Sequence, residues 1–376
     1  MDLFGADIEE DIEDRDEEEG DAVSAPAGDA FVHPRSMVFC EGHGSIERGL
    51  LDSYNSGRMP HAVIFSGPKG IGKATMAYRF ARFLLKQGIK DTAQGGMFGD
   101  APEPQSLDVA ANDPVFRRVA SGGHGDLFST EKKFDEDKGK FKDSLDVEEI
   151  RKIPPFLRMT SSEAGWRVVI LDDADSMTRN AQNALLKILE EPPKNALLIL
   201  VAHRAGGLIP TIRSRARMIG FSPLSNETIG ELLRRHNPGL LRADIEKLTS
   251  IAEGSFGQAL HFLDNNALEI LGQISGLIES MRWTDIHKLA EQLSGAGSDS
   301  AYKSFQEIFI WMVRQSAVAR ARGAEAVSFI PDDFLKNSSL EETLKICENL
   351  EEHFRRADFA NLDRRQAVLG AFSLIG

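Results

Sequence analysis

Four largely apolar runs of strand length punctuate the first part of the chain: Ala62-Val63-Ile64-Phe65, Arg167-Val168-Val169-Ile170-Leu171, Ala196–Val201 and a short one near Met218–Phe221. Runs without polar alternation predict strands buried on both faces. Between them the period changes. Met76, Phe80, Phe83 and Leu84 recur at helical spacing and give one apolar face. A second helix is expected from about Thr178 to Glu191, stopped by Pro192-Pro193. Strands alternating with helices predict an α/β fold, a mostly parallel sheet covered on both faces. From about Pro223 onward the patterns are helical almost throughout, with breaks expected at Gly254-Ser255 and near Gly295-Ala296-Gly297. Residues 88–125 are rich in Gly, Pro and Asp and read as an insertion; the densely charged 131–143 reads as a loop tip.

Composition changes this picture in one place. The net charge is −14, but residues 1–20 hold eleven acids and a single base, Arg15. That tail, about 1–30, is poor in large apolar residues and is expected to be disordered. The rest is only mildly acidic, so charge neither demands nor excludes nucleic acid. No stretch approaches the roughly 18 apolar residues of a membrane helix, and no secretory signal is recognisable. Two distant cysteines, Cys40 and Cys347, suggest no disulfide framework. A cytoplasmic protein of two or three domains is expected, with no membrane partner.

The candidate chemistry begins where the first run ends. Gly67-Pro68-Lys69-Gly70-Ile71-Gly72-Lys73 has the G-x-x-x-x-G-K form of a phosphate-binding loop, in its strand–loop–helix context. Gly67, Gly70 and Gly72 let backbone N–H groups approach phosphates, and the following helix points its positive end at them. Lys73 would reach the β- and γ-phosphates as a point charge. The next position normally carries the hydroxyl that ligates Mg²⁺, and here it is Ala74. Thr75 has a hydroxyl, but one step along a helix turns it about 100° away. Asp172 stands where such sites make a second Mg²⁺ contact, and Asp173 where many ATPases keep a Glu to orient water. Asp is one methylene shorter, and small displacements of a catalytic group cost large rate factors. Alternatively this acidic stretch only caps the next helix, a role expected of Asp175.

The motifs Pro60-His61-Ala62, Gly67–Thr75, Asn183-Ala184-Leu185-Leu186-Lys187-Ile188-Leu189-Glu190-Glu191-Pro192-Pro193 and Ile212-Arg213-Ser214-Arg215 resemble bacterial clamp-loader subunits. These are AAA+ proteins of the DNA polymerase III holoenzyme. The resemblance spans roughly residues 33–265, and the run ending in Glu-Glu-Pro-Pro is its most specific part. It implies an AAA+ P-loop domain over 31–222, a helical lid over 223–270 and a C-terminal helical collar over 271–376.

That family has gamma/tau motors, which hydrolyse ATP, and a delta-prime branch, which is relatively rigid and offers an arginine to a neighbour's ATP site. The motors carry a phosphate-sensing Arg in Gly-Ser-x-Arg-x-Ala-Leu. This chain has Gly254-Ser255-Phe256-Gly257-Gln258-Ala259-Leu260, so Gly257 takes the Arg position. Ala74, Asp173 and Gly257 together point to the delta-prime role, with a gamma/tau-like ATPase as the alternative. A nucleotide-binding regulator unconnected with DNA is a further rival.

By resemblance, Arg215 is an arginine finger acting in trans, with Ala216 replacing the family's Cys. From the residues alone it is a surface arginine in a charged turn. The implied cofactors are ATP bound without efficient hydrolysis, Mg²⁺ only together with nucleotide, and no zinc. The family's four zinc cysteines are missing from 88–125, where His124 cannot make a site alone. The implied partners are gamma/tau- and delta-type subunits in a hetero-oligomeric ring, the sliding clamp, and primed DNA through the assembly. The chain would have no polymerase active site of its own.

His203 is either a nucleotide-sensing residue or a satisfied strand-end histidine. Met1-Asp2-Leu3-Phe4 faintly resembles part of a clamp-binding peptide. Trp283, Trp311 and Phe309 are expected in helix cores or subunit contacts.

Deleting residues 1–30 should leave the thermal unfolding midpoint unchanged, because such a tail has too little apolar surface to contribute. A large drop in Tm would overturn the disordered-tail expectation.

Overall fold

Five strands form the main sheet in the order β2-β5-β6-β1-β7, all parallel. The structure, a computed structural model, describes residues 33–88, 103–132, 134–135, 140–141, 144–145, 147–161, 165–295, 297–323, 329–331, 334–335 and 338–375. The expected acidic tail, its Met1–Phe4 start and residues 89–102 of the expected insertion lie outside the described residues.

In chain order the elements are α1 (Gly44–Asn55), β1 (Ala62–Ser66), α2 (Lys73–Gln87), α3 (Pro114–Ala120), β2 (Leu127–Thr130), β3 (Phe134–Asp135), β4 (Lys140–Phe141), α4 (Val147–Arg158), β5 (Arg167–Leu171), α5 (Arg179–Glu190), β6 (Ala196–Ala202), α6 (Pro210–Arg213) and β7 (Arg217–Gly220). Helices α7 (Asn226–His236), α8 (Arg242–Ile251), α9 (Phe256–Asp264), α10 (Ala267–Ser280), α11 (Trp283–Ser294), α12 (Asp299–Arg322), α13 (Leu340–Phe359) and α14 (Arg364–Ser373) follow. This is an α/β module with a parallel sheet, continued by helices.

The central strands are apolar on both faces because both faces are covered. Val63, Phe65, Val168, Ile170, Leu197, Ile199 and Val201 pack under α1 and α2. The alternating set Ala62, Ile64, Val169, Leu171, Leu198, Leu200 and Ala202 packs under α4 and α5. Period two thus splits each strand between two cores. Each large apolar side chain so buried is worth roughly 1.5–3 kcal/mol. A third core is built by residues of α7 to α14. Trp311 stacks on Phe329 and Phe309 is fully buried, whereas Trp283 is exposed at the start of α11.

The structure departs from the expectations in four places. The described part of the 88–125 segment belongs to the core: Leu107, Val115 and Val119 pack with Phe80 and Phe83, and Asp113 caps α3. A seven-residue helix is too short for its period to stand out. The edge strand β2 escaped notice because Ser129 and Thr130 leave no apolar run. Within the charged stretch 131–143, β3 and β4 form a short antiparallel ladder, Phe134 opposite Phe141. α4 also has no counterpart among the expected elements. It continues through Pro154 and Pro155 while burying Ile150, Ile153 and Leu157.

Arg82 fastens the chain entry to this module. Its side chain is 2% exposed and donates to the carbonyls of Arg35 (2.8 Å) and Met37 (2.6 Å). The guanidinium lies 4.4 Å from the Phe116 ring centre. Burial pushes its pKa down to about 10, so it stays charged at neutral pH. Arg82→Ala should lower stability by about 3 kcal/mol, from a cavity plus two abandoned carbonyls. Denaturant titration measures this, and a change under about 0.5 kcal/mol would contradict the role.

Candidate functional site

The glycine loop leaves β1 and turns into α2 under tight steric limits. A Cβ on Gly67 would lie 2.4 Å from the carbonyl oxygen of Phe221. Gly70 has φ +75°, and a Cβ there would meet Ser255 Oγ at 2.4 Å. Gly72 occupies the position before Lys73, the first residue of α2. Ala74 and Thr75 follow in the first turn, both half-buried. Two residues without a sequence signal support the loop from beneath. His43 Nε2 donates to Ile71 O at 2.6 Å, and the Cys40 thiol faces Gly72 O at 3.6 Å.

Lys73 does not reach outward. It is 3% exposed, and its ammonium donates back to the carbonyls of Gly67 (2.7 Å) and Pro68. It also lies 3.1 Å from His203 Nδ1. Burial pushes its pKa down to about 8, opposed by Asp172, Asp175 and Asp173. The far side of the His203 ring, Nε2, lies 3.4 Å from Asp173 Oδ1. Burial and the neighbouring Lys73 lower the histidine's pKa, which favours the neutral ring. With Nδ1 accepting from Lys73, Nε2 carries the proton and faces the carboxylate.

Asp173 closes the chain of contacts. It sits in the left-handed region at φ 58°, and its Oδ2 receives Lys132 Nζ at 2.6 Å. Lys132 was invisible in sequence, being one of several lysines in a charged stretch. Asp172, at the end of β5, accepts the N–H of Asp173 at 2.9 Å on its own side chain. Burial pushes its pKa up to about 6. Asp175 does not cap α5 as expected. It accepts the N–H groups of His203 and Arg204, both at 2.9 Å, and Thr178 caps the helix instead.

Packing explains the glycine at position 257. Gly257 N–H donates to Gly70 O at 2.8 Å, joining the start of α9 to the glycine loop backbone to backbone. A Cβ on Gly257 would lie 2.9 Å from Gly70 Cα. No arginine fits there unless the two segments separate.

Gly67, Lys73, Asp172, Asp173 and His203 therefore meet at one sheet edge, where the strands end. Arg215 is not among them. It follows α6, and its partners are Thr211 O (3.2 Å) and Glu190 Oε1 (3.1 Å). Parallel pairing sets Arg217 beside Val63 and Gly220 beside Ser66. Arg215 thus lies toward the edge where strands begin, about 10 Å or more of strand from the glycine loop.

One pH effect follows from Asp172. Its pKa rises from 3.8 to about 6 on folding, so the folded protein holds this proton more tightly than the unfolded chain. That contribution favours folding below about pH 4 and is lost as pH climbs through about 6. Asp172→Asn should therefore be more stable than the parent at about pH 7.5, by about 3 kcal/mol, and lose the advantage near about pH 3.5. Urea denaturation at both pH values tests it, and a pH-independent difference would refute it.

A family model described as "DNA polymerase III, delta subunit" matches residues 42–225. The DNA polymerase III subunit delta' of Pseudomonas aeruginosa is 33% identical over 204 residues, covering 54% of this chain and 56% of that protein. Replication factor C small subunit 2 of Pyrobaculum aerophilum is 29% identical over 246 residues, covering 64% and 62%. The chain thus spans less than two thirds of the length of either relative. Among solved structures, a DNA polymerase III, gamma subunit-related protein from Thermotoga maritima is 16% identical with a TM-score of 0.44, covering 88% of this chain and 97% of that one. Among the described residues no helix is long and apolar enough to cross a membrane. The family model runs from α1 past β7, through the sheet and the glycine loop, and over this stretch the chain is similar to clamp-loader subunits.

Proposed function

We propose that this chain fills the delta-prime position of a bacterial clamp loader, lending Arg215 to a neighbour's ATP site while its own site does not turn over. The reading is carried by one observation: the groups a working P-loop site turns toward a nucleotide are bound to each other. Lys73 is held by two loop carbonyls and His203, and Asp173 by Lys132. A triphosphate entering here would have to displace those bonds.

The donor set also does not suit a bridging Mg²⁺. Ala74 offers no side-chain oxygen, Asp172 is drawn toward its protonated form, and Asp173 already neutralises an ammonium. No hydrolytic step is therefore assigned to this pocket. Arg215 is 36% exposed on the opposite edge of the sheet, where a second subunit could receive it. An arginine that meets a neighbour's γ-phosphate stabilises transition-state charge. The partners in this reading are gamma/tau- and delta-type subunits, with the sliding clamp and primed DNA engaged by the assembly.

In a complex reconstituted with ATPase subunits, clamp and primed DNA, Arg215→Ala should reduce ATP turnover by about 10³-fold and leave assembly intact. The isolated chain should show no turnover to lose. Full turnover by the Arg215→Ala complex would reject the finger. Turnover by the isolated chain that Lys73→Ala abolishes would instead mark a gamma/tau-like motor.

A further inference from the structure

The run Asn183–Pro193 is the most specific family feature of the sequence, yet the nucleotide pocket uses none of it. Its geometry ties it to Arg215. We propose that Glu190 is the positioning residue of the finger, holding the Arg215 guanidinium in one orientation before a neighbour's nucleotide arrives. This rests on the arginine-finger reading above.

Two anchors fix the guanidinium. Nη2 lies 3.1 Å from Glu190 Oε1, and Nη1 donates to Thr211 O at 3.2 Å. A guanidinium has five N–H donors in a rigid plane, so two tethers set its direction and leave donors free for a phosphate. The anchors share a stiff support. Gln182 is 3% exposed and has every side-chain polar atom engaged across α5 and the segment entering α6. Its Nε2 donates to Met177 O and Gly207 O, each at 3.0 Å, and its Oε1 accepts Ile209 N–H at 2.7 Å. Ile212 of α6 is buried in one core with Leu185, Ile188 and Leu189 of α5.

The prolines complete the arrangement. A residue before proline is driven out of the helical region, and Glu191 sits at φ −123° and ψ 70°. Glu190 is thereby the last residue of α5, facing α6. Arg217, two residues on, is engaged elsewhere and donates to Ser53 Oγ at 3.0 Å.

Such a half-exposed ion pair contributes only about 0–1 kcal/mol to folding. Its value is geometric. Preorganised donors stabilise a transition state without reorganising, and a displacement of about 1 Å can cost up to about 10²-fold in rate.

The test uses the reconstituted complex with clamp and primed DNA. Glu190→Ala should lower kcat about 10-fold, leaving KM, complex formation and the Tm of the chain unchanged. Glu190→Gln, which keeps an acceptor oxygen, should restore part of the loss. In an Arg215→Ala background, adding Glu190→Ala should change nothing further. Unchanged or raised kcat in Glu190→Ala, or an equal loss with and without Arg215, overturns the positioning role while leaving the finger standing. Full kcat in Arg215→Ala alone removes the finger, and this role with it.

Discussion

All five strands of the main sheet run the same way, so the chain leaves every strand at one edge and enters at the other. This constraint separates the two candidate sites. The glycine loop, Asp172 and His203 meet because β1, β5 and β6 end together, with the Gly67 N–H donating to Ala202 O. Glu190 and Arg215 meet because α5 and α6 both return the chain to the edge where β6 and β7 begin. Parallel strands need crossovers over the faces, and those crossovers supply the helices that bury both sides. One topological choice thus yields the apolar cores, a polar cluster at one edge and an exposed arginine at the other.

At the exit edge, electrostatics decides what the cluster can do. Removing an unpaired ammonium from water costs several kcal/mol, and each hydrogen bond to a charged group returns roughly 1.5–3. Lys73 recovers this within the chain, from two loop carbonyls, His203 and nearby carboxylates. Lys132 does the same for Asp173. The cluster is therefore satisfied without a ligand. A ligand entering here would have to displace those bonds.

How much of this was legible in sequence depended on the range of the signal. β1, β5, β6 and α2 stood out because burial on a whole strand or helix face repeats over many positions. The glycine loop was legible because backbone approach demands glycine at set places. β2 and α3 were lost because four and seven residues carry too little period, and α4 because paired prolines interrupt its pattern. In the site, Lys73, Asp172 and Asp173 were found by motif. Lys132, His43 and the Glu190 contact were not, since each depends on residues brought close by the fold. For Asp175 the sequence offers only a local cap; its carboxylate instead accepts N–H groups almost thirty residues away.

Gly257 and Asp173 are each fixed by contacts within the chain. Gly257 presses on Gly70, so the start of α9 lies against the glycine loop with no room for a side chain. That contact rests on Gly70 at φ +75° and on Ser255 beside it. Gln258 then reaches Glu307 of α12, linking the loop through α9 to the following helices. Restoring an arginine at position 257 would thus break a backbone hydrogen bond and disturb that linkage before it met any phosphate. Restoring a hydroxyl at position 74 would still leave Asp173 bound to Lys132. Each single substitution would therefore meet a contact that already joins parts of this chain: Gly257 to Gly70, or Asp173 to Lys132.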